Sequence, residues 1–453
     1  MKFVFMISIL LKGIGAVLEV LLQIVITKQI GVTDYGTYST FVNAADLIYW
    51  CLFSGIVKCN TFYLAESGTT IRTFKKKYYS MYVFPLSIGG IIISTVLRQY
   101  TAALIFMIAL AELLVMDQSS SFMARKYSKR ALLGEYVLGR FFLLIGIVVL
   151  FRISKPVILL LLFLYLLQFL LVEIFFLVQK IHMPRMDSER SVSIRKWANY
   201  QRADIIQAMI GQMPVVVQYL FVGSYEAGVV SIVMLVKKLV NFISGPSFKI
   251  FLPEFSRLYT LGDKDKIKES FASIIRMQML FLAPMSVILI GFPKLLLKVL
   301  ADDLVDYSGL FIICSVIFIV VASLGPCSGL MQMTGNEHWD NRFREIALAC
   351  MFCIFFILRE NTFFVLYGLC IQAIIENTGK MIFVSRWMGG LPMKLTQYLK
   401  LWLLPGIMIW LAYIFDLQQS FLAMFCMAGF TFICHFVNEV KNEHLLEIMK
   451  HKR

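Results

Sequence analysis

Charge is scarce in this chain. Asp, Glu, Lys and Arg supply 16% of its 453 residues, against ~25% in an ordinary soluble domain. With hydrophobic residues at 59% and a mean hydropathy of +0.78, the shortage excludes a soluble globular protein. No GxxxxGK phosphate-binding loop occurs, so the chain is expected to carry no ATPase of its own. Cysteine is thin as well, nine residues scattered through apolar runs. Cys350 and Cys353 form a CxxC, but with no second pair and no nearby histidines they read as small buried hydrophobes. No metal site and no cofactor are expected.

What the chain has is long apolar runs, roughly 18 to 24 residues each, enough to cross a ~30 Å hydrocarbon layer as helices. Hydropathy places fourteen of them, at about 5 to 28, 37 to 60, 79 to 97, 101 to 123, 131 to 151, 156 to 179, 204 to 222, 226 to 249, 271 to 291, 308 to 331, 345 to 358, 362 to 384, 400 to 415 and 420 to 438. The expected fold is therefore all-α and polytopic, with about 14 transmembrane helices. The first run follows Lys2 but continues past Lys12 and Glu19 with no small-x-small cleavage site, so it reads as a retained span and not a signal peptide.

The formal charge of +15 would suggest nucleic acid in a soluble protein. Here the basic residues sort by side of the membrane instead, and no nucleic acid partner is expected. With the N-terminus inside, 28 of the 43 basic residues fall on inner segments, including Arg72 and Lys75 to Lys77, Arg125 to Arg130, and Lys180 to Arg202. Outer loops hold six, namely Arg98, Arg152, Lys155, Lys294, Lys298 and Arg359. That bias puts both termini in the cytoplasm. Nine basic residues are left inside the spans.

An internal repeat organises the spans. Gly31-Val32-Thr33-Asp34-Tyr35-Gly36 lies after the first helix, and Gly223-Ser224-Tyr225-Glu226-Ala227-Gly228 after the seventh. Both read G-x-x-[Asp/Glu]-x-G, both sit on the outer side, and both run into another apolar stretch. The chain thus divides into a six-helix bundle at 1–179, a cytoplasmic connector at 180–203, a second six-helix bundle at 204–384, and two extra helices with a basic tail at 385–453. Because six is even, the two bundles should be related by a pseudo-two-fold axis along the membrane normal.

These hexapeptides, with Tyr38 after the first, and above all the inner segment Pro253-Glu254-Phe255-Ser256-Arg257-Leu258 followed by Gly262-Asp263-Lys264, resemble the polysaccharide-transporter branch of the multidrug/oligosaccharidyl-lipid/polysaccharide exporter superfamily. That branch includes O-antigen and capsule flippases and the peptidoglycan lipid-precursor flippase. The resemblance extends over nearly the whole chain. It implies a multi-pass protein of the bacterial cytoplasmic (inner) membrane that moves a polyprenyl-diphosphate-linked glycan by alternating access. It also implies membrane lipids as surroundings, and a glycan polymerase and assembly proteins as partners.

Such a cargo tells what the membrane interior should hold. A charged, hydroxylated head crossing hydrocarbon needs fixed cations in a wet cavity, and ionisable groups at mid-membrane are costly enough to be functional candidates. Lys12, Arg140, Lys237, Lys238, Arg276 and Lys380 are the candidate cations. Lys28, Lys58 and Lys249 sit near helix ends and can snorkel. Ser8, Lys12, Glu19 and Gln23 share one face of the first helix, and Asp204, Gln207, Gly211 and Gln218 share one of the seventh, which suggests two polar cavity walls. Arginine grips phosphate bidentately, so Arg140 and Arg276, with Lys12, are the expected diphosphate contacts. Glu19, Asp46, Glu112, Glu173 and Glu376 are the acids that could couple transport to protons or sodium ions, or simply pair with cations. Glu376 and Lys380, four residues apart, read as a salt bridge.

Two other classes are weighed. A multidrug/cation antiporter shares the architecture, but a drug-cation cavity favours acids and aromatics over nine cations. A membrane glycosyltransferase or glycan polymerase needs a sizeable outer domain, and the longest outer stretch, about 292 to 307, is too short for one.

Overall fold

The computed structural model describes residues 2–67, 71–125, 127–153, 157–181, 192 and 194–441, with the backbone alone for 2–10, 62, 65–67, 128, 196, 243–254 and 440–441. Residues 182–191 and 193 of the 180–203 connector and the tail beyond Lys441 lie outside these residues. Every regular element among them is helical. In the absence of water this is the economical solution, because a helix satisfies each backbone donor within its own segment.

Two compact units divide the chain, Met1–Ser231 and Ile232–Arg453. The first holds α1 (Lys2–Ile48), α2 (Ser54–Ser67), α3 (Arg72–Tyr78), α4 (Phe84–Val96), α5 (Tyr100–Ala124), α6 (Ser128–Leu132), α7 (Gly139–Ile153), α8 (Ile158–Lys180), α9 (Ile194–Gly211), α10 (Met213–Phe221) and the start of α11 (Ser224–Thr260). Within it α5 is central and packs on α8, α4, α2 and α1. The second unit holds the rest of α11, then α12 (Lys264–Gly291), α13 (Pro293–Leu300), α14 (Ser308–Ser323), α15 (Cys327–Met333), α16 (Glu337–Ile357), α17 (Phe364–Trp387), α18 (Leu395–Ile414) and α19 (Phe421–Lys441). Here α12 packs on α14, α18 and α19, and α16 pairs with α17. The first unit takes in α9 and α10, which the repeat reading counts with the second half.

Among the described residues nine helical segments are long and apolar enough to cross a membrane. They account for ten of the fourteen expected spans, because Leu11–Thr61 contains the first two in one 51-residue run. The expected spans seven, eleven and twelve are helical but more polar, and the eighth is helical but runs into residues described by their backbone alone. Gln372, Glu376, Asn377 and Lys380 dilute α17, for example, and four charges enter the first turns of α16. The seventh span is not one straight helix as expected. It breaks at Gln212 between α9 and α10, since Pro214 at the start of α10 has no N–H to give and its ring crowds the preceding turn. Large apolar side chains such as Ile93, Val96, Phe141 and Val149 stand exposed, which suits lipid and not water.

Three π-helical segments interrupt the first unit, at Tyr49–Phe53, Tyr79–Val83 and Leu133–Leu138. A π turn frees carbonyls that other groups must take up. Gln201 does so for the first: its Nε2 donates to the Trp50 and Cys51 carbonyls at 2.9 and 2.7 Å, while its Oε1 accepts from Gly55 N at 3.0 Å.

The two hexapeptides meet within the first unit. Gly31 has φ 81°, a left-handed value that breaks α1 and favours glycine. Gly36 and Gly228 serve another purpose, close approach. A Cβ on Gly36 would collide with the Ser224 carbonyl, and one on Gly228 with the Val32 carbonyl. Val32 and Ser224 are both second in their hexapeptides and the two glycines both sixth, so the contact is reciprocal, as a local two-fold produces. Gly36→Ala should therefore cost ~1–3 kcal/mol, since backbone cannot move aside like a flexible side chain. Thermal unfolding of the purified protein in detergent checks this, and an unchanged Tm would contradict the close approach.

Candidate functional site

In the first unit, Arg140 is the centre of a charged cluster. Its Nε donates to Glu19 Oε2 at 2.8 Å, joining α7 to α1. Its Nη1 donates to the Glu135 and Tyr136 carbonyls at 3.3 and 3.2 Å, which lie in the third π segment. Arg140 thus supplies the donors that this π turn leaves wanting. Its guanidinium also lies 5.6 Å from the Tyr136 ring centroid, and the Lys12 ammonium 5.3 Å from the same ring. Two cations and two carboxylates, Glu19 and Glu135, thus gather around the Tyr136 ring. Gly15 lets α1 come this close, because a Cβ there would lie 2.7 Å from the Tyr136 carbonyl.

Acids gather near this cluster. The Asp46 and Glu112 side chains are neighbours, and Glu135 adds to the negative charge around Glu112. Ser119 Oγ donates to Glu135 Oε2 at 2.6 Å. Asp46 and Glu112 thus bring two carboxyl groups from α1 and α5 together inside the first unit.

The second unit buries a charge network of its own. Lys380 is fully enclosed, with Glu376 Oε1 at 2.6 Å, Asp340 Oδ1 at 2.7 Å and Ser328 Oγ at 2.9 Å around its ammonium. The ammonium donates to Glu376 and Ser328 and forms an ion pair with Asp340. Arg344 reaches Asp340 at 3.1 Å and Glu376 at 3.6 Å, and Gln332 Nε2 donates to Asp340 Oδ2 at 3.0 Å. The i, i+4 bridge read from the sequence is thus one edge of a network tying α17 to α15 and α16.

No protein-family model and no curated protein matches the chain. Solved structures do. The chain is similar to the lipid II flippase MurJ in an inward closed conformation, at 13% identity and a TM-score of 0.70, over 97% of this chain and 100% of that one. It is also similar to the MATE multidrug transporter DinF-BH in a ligand complex, at 12% identity and a TM-score of 0.57, over 85% and 94% of the two chains. An outward-facing MATE family transporter of the MOP superfamily matches at 12% identity and a TM-score of 0.54, over 85% and 94%. The chain shares the fold of these proteins, all-helical and polytopic.

On this fold the other candidates are dispersed. Arg276 of α12 faces Glu439 of α19 at 3.9 Å, both mostly buried. Lys237 lies 5.8 Å from the Phe318 ring centroid, while Lys238 is exposed. Glu173 accepts from Gln118 Nε2 at 3.3 Å. Gln23 and Gln218 are buried, Gln207 exposed. The side chains of Ser8, Lys249, Pro253 and Glu254 lie outside the described residues. Of the segment behind the family resemblance, Phe255 and Leu258 are buried and Phe255 stacks on Phe271 at 6.3 Å. Gly262 turns the chain at φ 73°. Asp263 then caps α12 by accepting from Lys266 N at 3.1 Å, and its hydrogen bonds with Lys266 hold its carboxyl below the usual range.

Some partners were not anticipated. Lys58, read as a snorkelling residue, pairs with the fully buried Asp204, and Lys75 with Asp117. Asp340, Arg344 and Glu439 lay outside the candidate list. So did Glu135, although an acid inside the 131 to 151 apolar run is the same signal that singled out Glu112.

Proposed function

We propose that this chain is a flippase that carries a polyprenyl-diphosphate-linked oligosaccharide, an O-antigen or capsule repeat unit, from the inner to the outer leaflet of the bacterial cytoplasmic membrane. The observation that carries this reading is the likeness to a lipid II flippase along the full length of both chains, together with intramembrane cations suited to a diphosphate. The MATE structures extend over 85% of the chain. In this reading Lys12 and Arg140, gathered on Tyr136, hold the anionic head, with Arg276, Lys237 and Lys238 available along its path. Lys380, enclosed with Asp340 and Glu376 against its ammonium, is the least accessible of the candidate cations. Asp46 and Glu112 share the coupling proton, with sodium as the alternative ion, and the 1–179 and 204–384 halves rock about the membrane normal. Both termini are cytoplasmic, and a glycan polymerase and assembly proteins receive the product.

A second reading, a multidrug/cation antiporter, draws on the carboxylates Asp46, Glu112 and Glu135. Reconstituted vesicles separate the two. With a polyprenyl-diphosphate disaccharide in one leaflet, the flippase reading expects the sugar to become open to an impermeant oxidant on the other side, faster than in empty vesicles. An imposed pH gradient should change that rate. Efflux of a cationic rhodamine dye with no movement of the sugar would replace the first reading with the second.

A further inference from the structure

At the end of the second unit that the loop charge bias puts outside, a cavity of about 360 Å³ opens beside α13. Its place follows from the pattern of that helix. Leu295, Leu297 and Leu300 are buried, and Leu295 packs with Ala412, Leu417 and Met424 in the core that seats α13 on α18 and α19. Lys294 and Lys298, four residues apart, are left on the exposed side. Both line the cavity, as do Asp302, which opens the 3-10 turn Asp302–Tyr307, and Gln419, which closes the turn Leu417–Gln419. Neither lysine has an ion-pair partner among the described residues, although Asp302 shares the cavity with them.

The charges at this end do not add up to a simple anion site. Beside Lys294 and Lys298 stand Asp302, the exposed Asp303 and Asp306 on the same turn, and the exposed Asp416 just before the second turn. Arg359 and Glu360, on the loop whose Phe363 packs on Tyr307 at 5.3 Å, add one charge of each sign. A bare phosphate would meet the acids, and a bare cation would meet the lysines. A ligand that carries an anionic and a cationic group close together satisfies both. Apolar surface decides what bears those groups. Leu295, Val305 and Phe421 complete the lining, Phe421 is half exposed, and Phe425, one turn further along α19, is 66% exposed. The cavity therefore opens onto a surface suited to acyl chains.

We propose that this cavity binds the headgroup of a phospholipid with a primary amine, of the phosphatidylethanolamine class. The phosphate lies on Lys294 and Lys298, the ammonium at Asp302, and the acyl chains along Phe421 and Phe425, with the Gln419 amide as a donor to a phosphate or ester oxygen. None of these residues is assigned to the cargo, and the test reads binding, so its failure leaves the flippase reading standing. Thermal unfolding of the intact chain in nonionic detergent, at constant ionic strength, is measured with added short-chain phosphatidylethanolamine, phosphatidylglycerol or phosphatidylcholine, or with water-soluble phosphoethanolamine. Phosphatidylethanolamine should raise Tm by roughly 3 °C at saturation. The other two lipids should bind about fivefold or more weakly, because phosphatidylglycerol brings no cation to Asp302 and choline has no N–H to donate. Asp302→Lys should reverse the order, placing phosphatidylglycerol above phosphatidylethanolamine. Lys294→Gln with Lys298→Gln should weaken the apparent affinity for phosphatidylethanolamine about tenfold or more, and Lys298→Gln alone gives the same reading, smaller, if the double variant does not fold. No stabilisation by phosphatidylethanolamine, an equal response to all three lipids, a response to phosphoethanolamine as strong as to the lipid, or an unaltered order in Asp302→Lys would overturn the proposal.

Discussion

Lys380→Met should be among the most damaging single changes in this protein, lowering stability by ~3–5 kcal/mol. The side chain is fully buried, and its removal leaves Asp340 and Glu376 in the protein interior with Arg344 alone to balance them. Most of that loss is the cost of an uncompensated charge and not the worth of the bond. Lys380→Met combined with Asp340→Asn should therefore recover much of it, Arg344 then balancing Glu376 one to one. Unfolding in detergent, followed by tryptophan fluorescence, measures both variants. If the double variant is no more stable than the single, the network contributes through geometry and the charge argument is wrong.

Arg140→Ala should reduce export of the lipid-linked glycan at least about tenfold, the rate equivalent of ~1.4 kcal/mol, and should also loosen the protein. The guanidinium makes three hydrogen bonds, one to Glu19 and two to the carbonyls of the third π segment. Arg140→Lys keeps the charge beside Glu19 but cannot hold the acid and both carbonyls in one plane, so export should return only in part. Glu19→Gln separates support from transport. With Glu19 neutral, Arg140 has more of its charge to offer an anion, and glycan binding should strengthen while stability falls. If Glu19→Gln weakens glycan binding and Arg140→Lys transports at the wild-type rate, Arg140 is a structural residue and not a contact for the diphosphate.

The spans and the paired hexapeptides were legible because their signals are local. A run of apolar residues declares its own length, and the spacing of Gly31 and Gly36 is repeated at Gly223 and Gly228 within six residues. The charge pairs were not legible in the same way. Arg140 and Glu19 are 121 residues apart, Lys58 and Asp204 are 146 apart, and Lys75 and Asp117 are 42 apart. Periodicity assigns a residue to a face of its helix but does not say which helix that face meets. Lys58 shows the consequence, since its position near a helix end accounts for a side chain that is 47% exposed but not for the buried carboxylate on α9 that its ammonium meets. The break in the seventh span was hidden for a different reason, because periodicity counts turns through Pro214 as if the helix were continuous.

The π segment at Tyr49–Phe53 fits one more residue into its turn than an α-helix would. At 3.6 residues per turn, one residue is about 100° of phase. Everything on α2 beyond it is rotated by that angle relative to α1, and this rotation is what turns Lys58 toward Asp204. A one-residue deletion between Tyr49 and Phe53 would leave a helix still long enough to cross the bilayer. It would return the Trp50 and Cys51 carbonyls to an α-helical ladder, leave Gln201 without its acceptors, and swing Lys58 away from its partner. In this part of the chain, a change of one residue in length acts as a change of direction.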